Sequence, residues 1–262
     1  VFAEERQQLI SALVTERGRV SVTELADRFS ITTETVRRDL AALEGSGSLR
    51  RVHGGAVPSD RLSTREESIL ERAIQRKAEK LSIAAAALAM IPELSSGSIL
   101  LDAGSTTETL ADLLAQRWAA NGSDELVVIT HAIPIAGKLS TAPGIALQIL
   151  GGRVRGLTQA AVGQSTVEAA LRLRPDIAFI GANGIHAGFG LSTPDPEEAA
   201  VKAAFVTSAR RVVALADSSK LDAETLVQFA TLKDVDTLIT DNEPSAELAA
   251  ALADAGVDVV IA

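Results

Sequence analysis

Residues 21–40 read Ser21-Val22-Thr23-Glu24-Leu25-Ala26-Asp27-Arg28-Phe29-Ser30-Ile31-Thr32-Thr33-Glu34-Thr35-Val36-Arg37-Arg38-Asp39-Leu40. Ser21 followed by Glu24 is a capping box: the hydroxyl takes a free backbone N–H and the carboxylate reaches back. It opens a short helix carrying Leu25, Ala26 and Phe29. Ser30-Ile31-Thr32 makes a tight turn, and Thr32 can cap a further helix in which Val36, Leu40 and Leu43 align on one side. Glu34, Arg38 and Ala41 lie opposite, with Thr35 and Arg37 on the flanks. A short helix, a tight turn and a helix with a basic, hydroxyl-rich outer face spell a helix-turn-helix.

The flanks extend the pattern. Upstream, Leu9, Ile10, Leu13 and Val14 have helical spacing, which predicts an amphipathic helix from about residue 4 to 17, ended by Gly18. Downstream, Gly45-Ser46-Gly47 turns the chain, and Leu49-Arg50-Arg51-Val52-His53-Gly54-Gly55-Ala56 reads as a hairpin wing. The chemistry suits double-stranded DNA. Arg pairs with guanine O6 and N7, Thr meets phosphate or a thymine methyl, and Arg and His of the wing are available to phosphate or a minor groove. A three-helix module for protein contacts is the alternative.

These residues resemble the N-terminal region of DeoR-type bacterial transcriptional regulators. The likeness rests on an ordered set: Val22-Thr23-Glu24-Leu25-Ala26, Thr35-Val36-Arg37-Arg38-Asp39-Leu40, Leu43-Glu44 and Arg51-Val52-His53-Gly54-Gly55-Ala56. It implies a winged helix-turn-helix with Thr33, Thr35, Arg37 and Arg38 facing DNA. Arg50, Arg51 and His53 of the wing complete the expected DNA-binding set.

Composition bounds the rest. The chain has 262 residues, 47% hydrophobic and 23% charged, enough for a small domain plus a larger one. It has no cysteine, which excludes disulfides, thiolate metal sites and a cysteine nucleophile. Three dispersed histidines form no ligand cluster, so neither metal nor cofactor is expected. No apolar run approaches the roughly 20 residues of a membrane span, and nothing near the N-terminus resembles a signal core; the expectation is a cytoplasmic protein without a membrane partner. Net charge is −9, of which residues 1–60 carry only −1. The cluster Arg37, Arg38, Arg50, Arg51 and His53 therefore sits in a near-neutral segment of an acidic chain.

From Pro58 to about Glu67 the sequence is polar without apolar period. The expected organisation is a DNA-binding domain at 1–57, a linker at 58–68 and a larger domain at 69–262. In the larger part, residues 69–91 predict one long helix, charged first and alanine-rich later. Beyond it, β-type runs at 99–101, 126–130, 146–150, 177–180, 212–216, 237–240 and 257–261 alternate with helical patterns near 107–119, 165–173, 197–209 and 245–255. Continuous apolar strands between helices imply a mostly parallel sheet covered on both faces. The fold class is α+β overall: a winged helix-turn-helix, then an α/β domain.

Ligands of such sheets bind beyond the carboxyl ends of strands. Four polar loops stand there: Asp102-Ala103-Gly104-Ser105-Thr106-Thr107, Leu150-Gly151-Gly152-Arg153-Val154-Arg155, Gly181-Ala182-Asn183-Gly184 and Asp217-Ser218-Ser219-Lys220. Asp195-Pro196-Glu197-Glu198 marks a helix start, with a cap, Pro at the first position and Glu three after the cap. Glu198 and Lys202 have the spacing of a helical surface ion pair, though Lys202 could point into a pocket.

Here too the chain resembles the DeoR-type family, whose effector domain is similar in fold to ribose-5-phosphate isomerases. The matching pieces include Leu101-Asp102-Ala103-Gly104-Ser105-Thr106, Leu150-Gly151-Gly152, Gly188-Phe189-Gly190-Leu191-Ser192-Thr193, Glu197-Glu198-Ala199-Ala200-Val201-Lys202, Asp217-Ser218-Ser219-Lys220 and Ile239-Thr240-Asp241. The likeness implies a phosphorylated sugar as effector, held by Asp102, Gly104, Ser105, Thr106, His131, Gly152, Arg153, Asn183, Gly184, Glu198, Lys202 and Lys220. It implies a homo-oligomer, dimer or tetramer, on an operator. Glu4-Glu5-Arg6-Gln7-Gln8, Thr158-Gln159-Ala160-Ala161-Val162-Gly163 and Gly190-Leu191-Ser192-Thr193 are similar to actinobacterial fructose-operon repressors of this family, which implies fructose 1-phosphate or a related ester.

Two positions depart from many relatives: His131 stands in place of Asn, and Asn183-Gly184 in place of Asp-Gly. The competing reading is a sugar-phosphate isomerase with an appended DNA-binding head, with Asp102, Glu197 or Glu198 as base. A neutral Asn183 cannot serve as a base and counts against it.

Overall fold

The computed structural model describes residues 3–45, 48–52, 54–58, 66–91, 97–121 and 126–262. The chain divides into two compact units, Val1–Arg65 and Glu66–Ala262.

In the first unit, the helix α1 (Ala3–Arg17) leads through Gly18, at φ 75°, into the two-residue strand β1 (Val20–Ser21). Helices α2 (Val22–Phe29) and α3 (Thr33–Gly45) follow, then strands β2 (Leu49–Val52) and β3 (Gly55–Pro58). The strands form an antiparallel sheet in the order β1-β3-β2, so the wing gains a third strand that the sequence pattern did not predict. Gly55 is required where β3 meets β1, because a Cβ there would lie 2.0 Å from the Val20 carbonyl oxygen. Ile10, Leu13, Val14, Leu25, Val36, Leu40, Leu43 and Leu49 make one core. Leu9, expected on the apolar face of α1, is instead 45% exposed. The buried stripe runs through Arg6, Ile10, Leu13 and Val14, and Leu9 falls outside it.

Capping follows the sequence in part. Ser21 Oγ accepts from the Glu24 N–H (3.0 Å), as expected. The carboxylate of Glu24 turns to Arg17 instead of completing the box. Thr32 Oγ1 accepts from the Thr35 N–H (3.2 Å) and starts α3.

The second unit begins with two helices, α4 (Ile69–Ile74) and α5 (Lys77–Ala89), where one long helix was expected. The break lies at Gln75-Arg76, and Arg76 has φ 48°, a left-handed conformation that no helix interior tolerates. After α5 come β4 (Ser98–Leu101), α6 (Ser105–Asn121), β5 (Leu126–Thr130), α7 (Ile133–Leu139), β6 (Ile145–Ile149), the hairpin strands β7 (Arg153–Arg155) and β8 (Ala160–Val162), α8 (Gln164–Leu171) and β9 (Ile177–Gly181). The chain continues with β10 (Gly184–His186), β11 (Gly190–Thr193), α9 (Pro196–Ser208), β12 (Val212–Leu215), β13 (Val227–Ala230), β14 (Thr237–Thr240), α10 (Ala246–Ala255) and β15 (Asp258–Ile261).

Seven of these strands, one from each β-type run read in the sequence, form a parallel sheet in the order β15-β14-β12-β9-β4-β5-β6. Alternate residues serve its two faces. Leu100, Ala178, Ile180 and Ala214 pack with Phe205 of α9 and Leu248 and Leu252 of α10. Ile99, Leu101, Phe179, Val213 and Leu215 pack with Ile83, Ala84 and Ala87 of α5, and with Leu110, Leu114 and Trp118 of α6. Burial on both faces is why these strands read as unbroken apolar runs. A small sheet, β10-β11-β13, was not visible in the sequence pattern. No helix of the described residues is long and apolar enough to cross a membrane.

Candidate functional site

In the sheet, β5 and β6 extend to one side of β4, while β9, β12, β14 and β15 extend to the other. The direction of winding thus reverses between β4 and β9, and the crevice above the carboxyl ends at such a point is the expected ligand position. A cavity that opens to solvent lies there. The loops after β4, β9 and β12 supply Gly104, Ser105, Thr106, Asn183, Asp217, Ser219 and Lys220 to its wall; α9 supplies Glu198 and Lys202. The remaining wall comes from Arg72, Gln75, Arg76 and Lys80, none of which was among the expected site residues. Arg72 lies on α4, Gln75 and Arg76 at the break and Lys80 on α5, so the continuous helix expected from the sequence did not show where these four would stand.

Asp102 is the anchor beneath this cavity. It is fully buried and accepts from the Gly181 N–H (2.9 Å), stands 3.1 Å from His131 Nε2, and binds Lys202 Nζ. Burial pushes its carboxyl up, but the Lys202 charge and the His131 contact outweigh burial, and the pKa falls to about 2. His131 Nδ1 lies 2.7 Å from the Ala161 carbonyl oxygen, and its Nε2 lies 3.1 Å from both Asp102 Oδ1 and the Ala103 nitrogen, so the ring ties the loop after β4 to β8. Lys202 also donates to the Gly181 carbonyl (2.9 Å). Asp102 and His131 therefore fix the loop and the lysine from below and do not themselves line the cavity.

The expected Glu198–Lys202 surface pair does not form. Both residues are buried, and each meets a stronger partner: Lys202 meets Asp102, while Glu198 accepts from Thr158 Oγ1 and from Arg155 Nη1 (3.1 Å). Asp195 caps α9 as read, accepting from the Glu197 and Glu198 N–H groups at 3.0 Å each. Besides Asp102 and His131, three expected effector residues lie away from the cavity wall. Arg153 is exposed and pairs with Glu197. Gly152 is pressed against Thr166 and the Val162 carbonyl, and Gly184 against the Ala223 carbonyl, so both glycines serve the chain's own close packing. Asn183 does face the cavity, with its Oδ1 accepting from Thr193 Oγ1 (3.1 Å).

The cavity's charge is cationic within an acidic chain. Arg72, Arg76, Lys80, Lys202 and Lys220 face Glu198 and Asp217. Arg76 is held in its left-handed conformation by Ser218 Oγ (2.8 Å), Asp217 (3.3 Å) and Asp241 (3.4 Å). Lys80 Nζ takes the C-terminal carbonyls of α4, those of Arg72 and Gln75. Burial lowers the Lys80 pKa, Lys220, Arg72 and Arg76 add to that, and Asp217 opposes it. Asp217 is held below the usual carboxylate range: burial opposes ionisation, but Lys220, Ser219 and Arg76 overcome it. In the same wall α6 begins at Ser105, and the N–H groups of its first turn, with the helix dipole, favour an anion.

On the first unit, Thr33, Arg37, Arg38 and Arg50 are exposed and Thr35 is half-buried. Arg37 is loosely paired with Glu34 (3.5 Å). Arg51 is braced by Glu44, through its Nε at 2.6 Å and its N–H at 2.9 Å, and these bonds hold the Glu44 carboxyl below its ordinary pKa. His53 lies outside the described residues.

Comparison with known proteins matches both parts of the chain. A family model described as the DeoR-like helix-turn-helix domain matches residues 6–61, and one described as the DeoR C terminal sensor domain matches residues 75–242. The HTH-type transcriptional regulator GlpR of Haloferax volcanii is 34% identical, over 98% of this chain and 96% of its own. The uncharacterized HTH-type transcriptional regulator FruR of Bacillus subtilis is 34% identical, over 91% of each chain. The lactose phosphotransferase system repressor of Streptococcus mutans is 32% identical, over 91% of this chain and 92% of its own. Among solved structures, a ribose 5-phosphate isomerase A from Methanocaldococcus jannaschii aligns with 56% of this chain and 55% of its own, at a TM-score of 0.42 and 20% identity.

Proposed function

Because the chain belongs to the DeoR family of transcriptional regulators, we propose that it represses a fructose-utilisation operon and is induced by fructose 1-phosphate or a related ester. The helix-turn-helix holds the operator through Thr33, Thr35, Arg37, Arg38, Arg50, Arg51 and His53, and a dimer or tetramer presents two such helices to half-sites. The observation that carries the effector reading is the cavity itself: five cationic side chains and a helix N-terminus converge in a chain of net charge −9. That is a phosphate environment, and Asn183, Glu198, Asp217 and Ser219 offer partners to sugar hydroxyls. The fructose assignment rests on the local likeness to fructose-operon repressors and on a relative that bears the name FruR.

Ligand binding changes operator affinity only if the two DNA-binding states take the ligand unequally. The test is a titration of the full chain against the DNA upstream of its own operon, read by fluorescence anisotropy with and without fructose 1-phosphate. Specific binding relieved by the ester supports the proposal. Specific binding that no concentration of the ester alters refutes the inducer, and Lys220→Ala should blunt the response while leaving operator binding intact.

A further inference from the structure

Glu66 is the first residue of the second unit, and it is buried without lining the cavity. Its Oε2 accepts from Arg155 Nη1 (2.6 Å), the same nitrogen that reaches Glu198 Oε1 (3.1 Å). Its other oxygen faces Arg72 Nη2 at 3.7 Å, beyond hydrogen-bond distance. Among the described residues Glu66 Oε1 and Arg72 Nε are buried and have no hydrogen-bond partner. Asp195 also draws on Arg155 (3.2 Å). Three carboxylates, Glu66, Glu198 and Asp195, thus share two guanidinium groups, and one of those, Arg72, stands in the cavity wall with unused bonding capacity.

Buried polar atoms without partners are costly, and a bound ion or ligand is one way in which they are satisfied. For Arg72 that ligand is an anion in the cavity. An anion that takes Arg72 leaves Glu66 with a share of Arg155 only, beside the like charge of Glu198. We propose that Glu66 is the residue through which occupancy of the cavity reaches the segment joining the two units: ligand and Glu66 compete for Arg72, and the loss shifts the point where the chain enters the second unit. This rests on the effector reading above and names the regulation of that same cavity. Burial and the neighbouring Glu198 charge raise the Glu66 pKa in spite of both arginines, in keeping with a carboxylate short of cations.

The test compares the full-length wild type with Glu66→Gln, which keeps an acceptor for Arg155 and removes the charge that competes for Arg72. The readout is the ratio of operator dissociation constants with and without saturating fructose 1-phosphate. The variant should bind ester and operator separately within about fivefold of wild type, while the ratio falls about tenfold, most of a coupling of ordinary size. An unchanged ratio with both bindings intact overturns the inference and leaves the effector reading standing. Should the variant fail to fold, hydrogen exchange on the wild type decides: amides of residues 66–75 should exchange faster with the ester bound, and unchanged exchange at saturation overturns the proposal. A wild type that does not bind the ester overturns the effector reading and this inference together.

Discussion

The two units bury charge to different ends. In the first, among the described residues, the buried carboxylate is Asp39, met by Arg6 from α1 at 2.6 and 3.2 Å and by Gln7 at 3.1 Å. Every partner belongs to the fold, and the pair staples α1 to α3. The groups left for an external partner stand outside, on α3 and the wing. In the second unit, buried or half-buried Glu66, Lys80, Asp102, Glu198, Lys202 and Asp217 gather in and beneath one cavity, and among the described residues the Nε atoms of Arg72 and Arg76 lack hydrogen-bond partners. A surface that reads a duplex needs only to be held rigid. A cavity that senses a small anion needs charges already dehydrated and ready to change partners, and the fold supplies the compensation from below, through Asp102 and Arg155.

The sharpest way to break that contrast is to remove the compensation. Asp102→Asn leaves the Lys202 ammonium buried without its counter-charge, which costs about 3–5 kcal/mol. Trp118, the single tryptophan, lies in the second unit and reports its unfolding in urea. The midpoint at pH 7 should fall accordingly. The pH dependence has a definite sign. The folded pKa of Asp102 is about 2, below its ordinary 3.8, so its contribution is complete above about pH 4 and is lost as pH falls through about 2. The gap between wild type and variant should narrow over that window, and a gap that stays constant through it would mean that Asp102 is not ionised in the fold.

The same operation on the first unit should cost less and do more damage. In Asp39→Asn, Arg6 keeps a neutral acceptor, and its long side chain can carry the guanidinium outward to water, so the loss is about 2 kcal/mol. A unit of this size has little stability to spare. Operator binding should drop with the fraction folded, seen as an earlier thermal transition in circular dichroism, while the Trp118 transition stays where it was. Equal movement of both transitions would show that the two units do not unfold separately.

How far this arrangement was legible depends on the range of the physics involved. The seven sheet strands were readable because burial on both faces demands unbroken apolar runs, and α2 and α3 because a cap and a stripe are local. The break at Arg76 was not readable, since the partners that hold its left-handed backbone, Ser218 and Asp241, lie 142 and 165 residues away. Glycine patterns are ambiguous for a related reason. A glycine admits close approach of something, and at Gly152 and Gly184 that something is the chain itself, with Thr166 Oγ1 2.1 Å and the Ala223 carbonyl oxygen 2.4 Å from where a Cβ would be. Asp102 and His131 were expected at the site because they follow strands. That they lie under the wall rather than in it is set by Lys202 folding back from α9.

The smallest effects test the outside of the first unit. Arg38 is exposed on α3, whereas Arg51 is engaged by Glu44. Arg38→Ala should weaken operator binding by about 1–2 kcal/mol while changing stability by no more than about 0.5 kcal/mol. Arg51→Ala should cost binding less, because its guanidinium already spends its charge on a carboxylate, and should loosen the wing against α3. Glu44→Gln separates these roles. It keeps an acceptor for the Arg51 N–H and releases the guanidinium, so binding should tighten slightly and the salt dependence steepen by about one phosphate contact. If Arg51→Ala instead weakens binding more than Arg38→Ala does, the Glu44 pair is exchanged for phosphate on the operator, and the first unit too would hold a charge that changes partners.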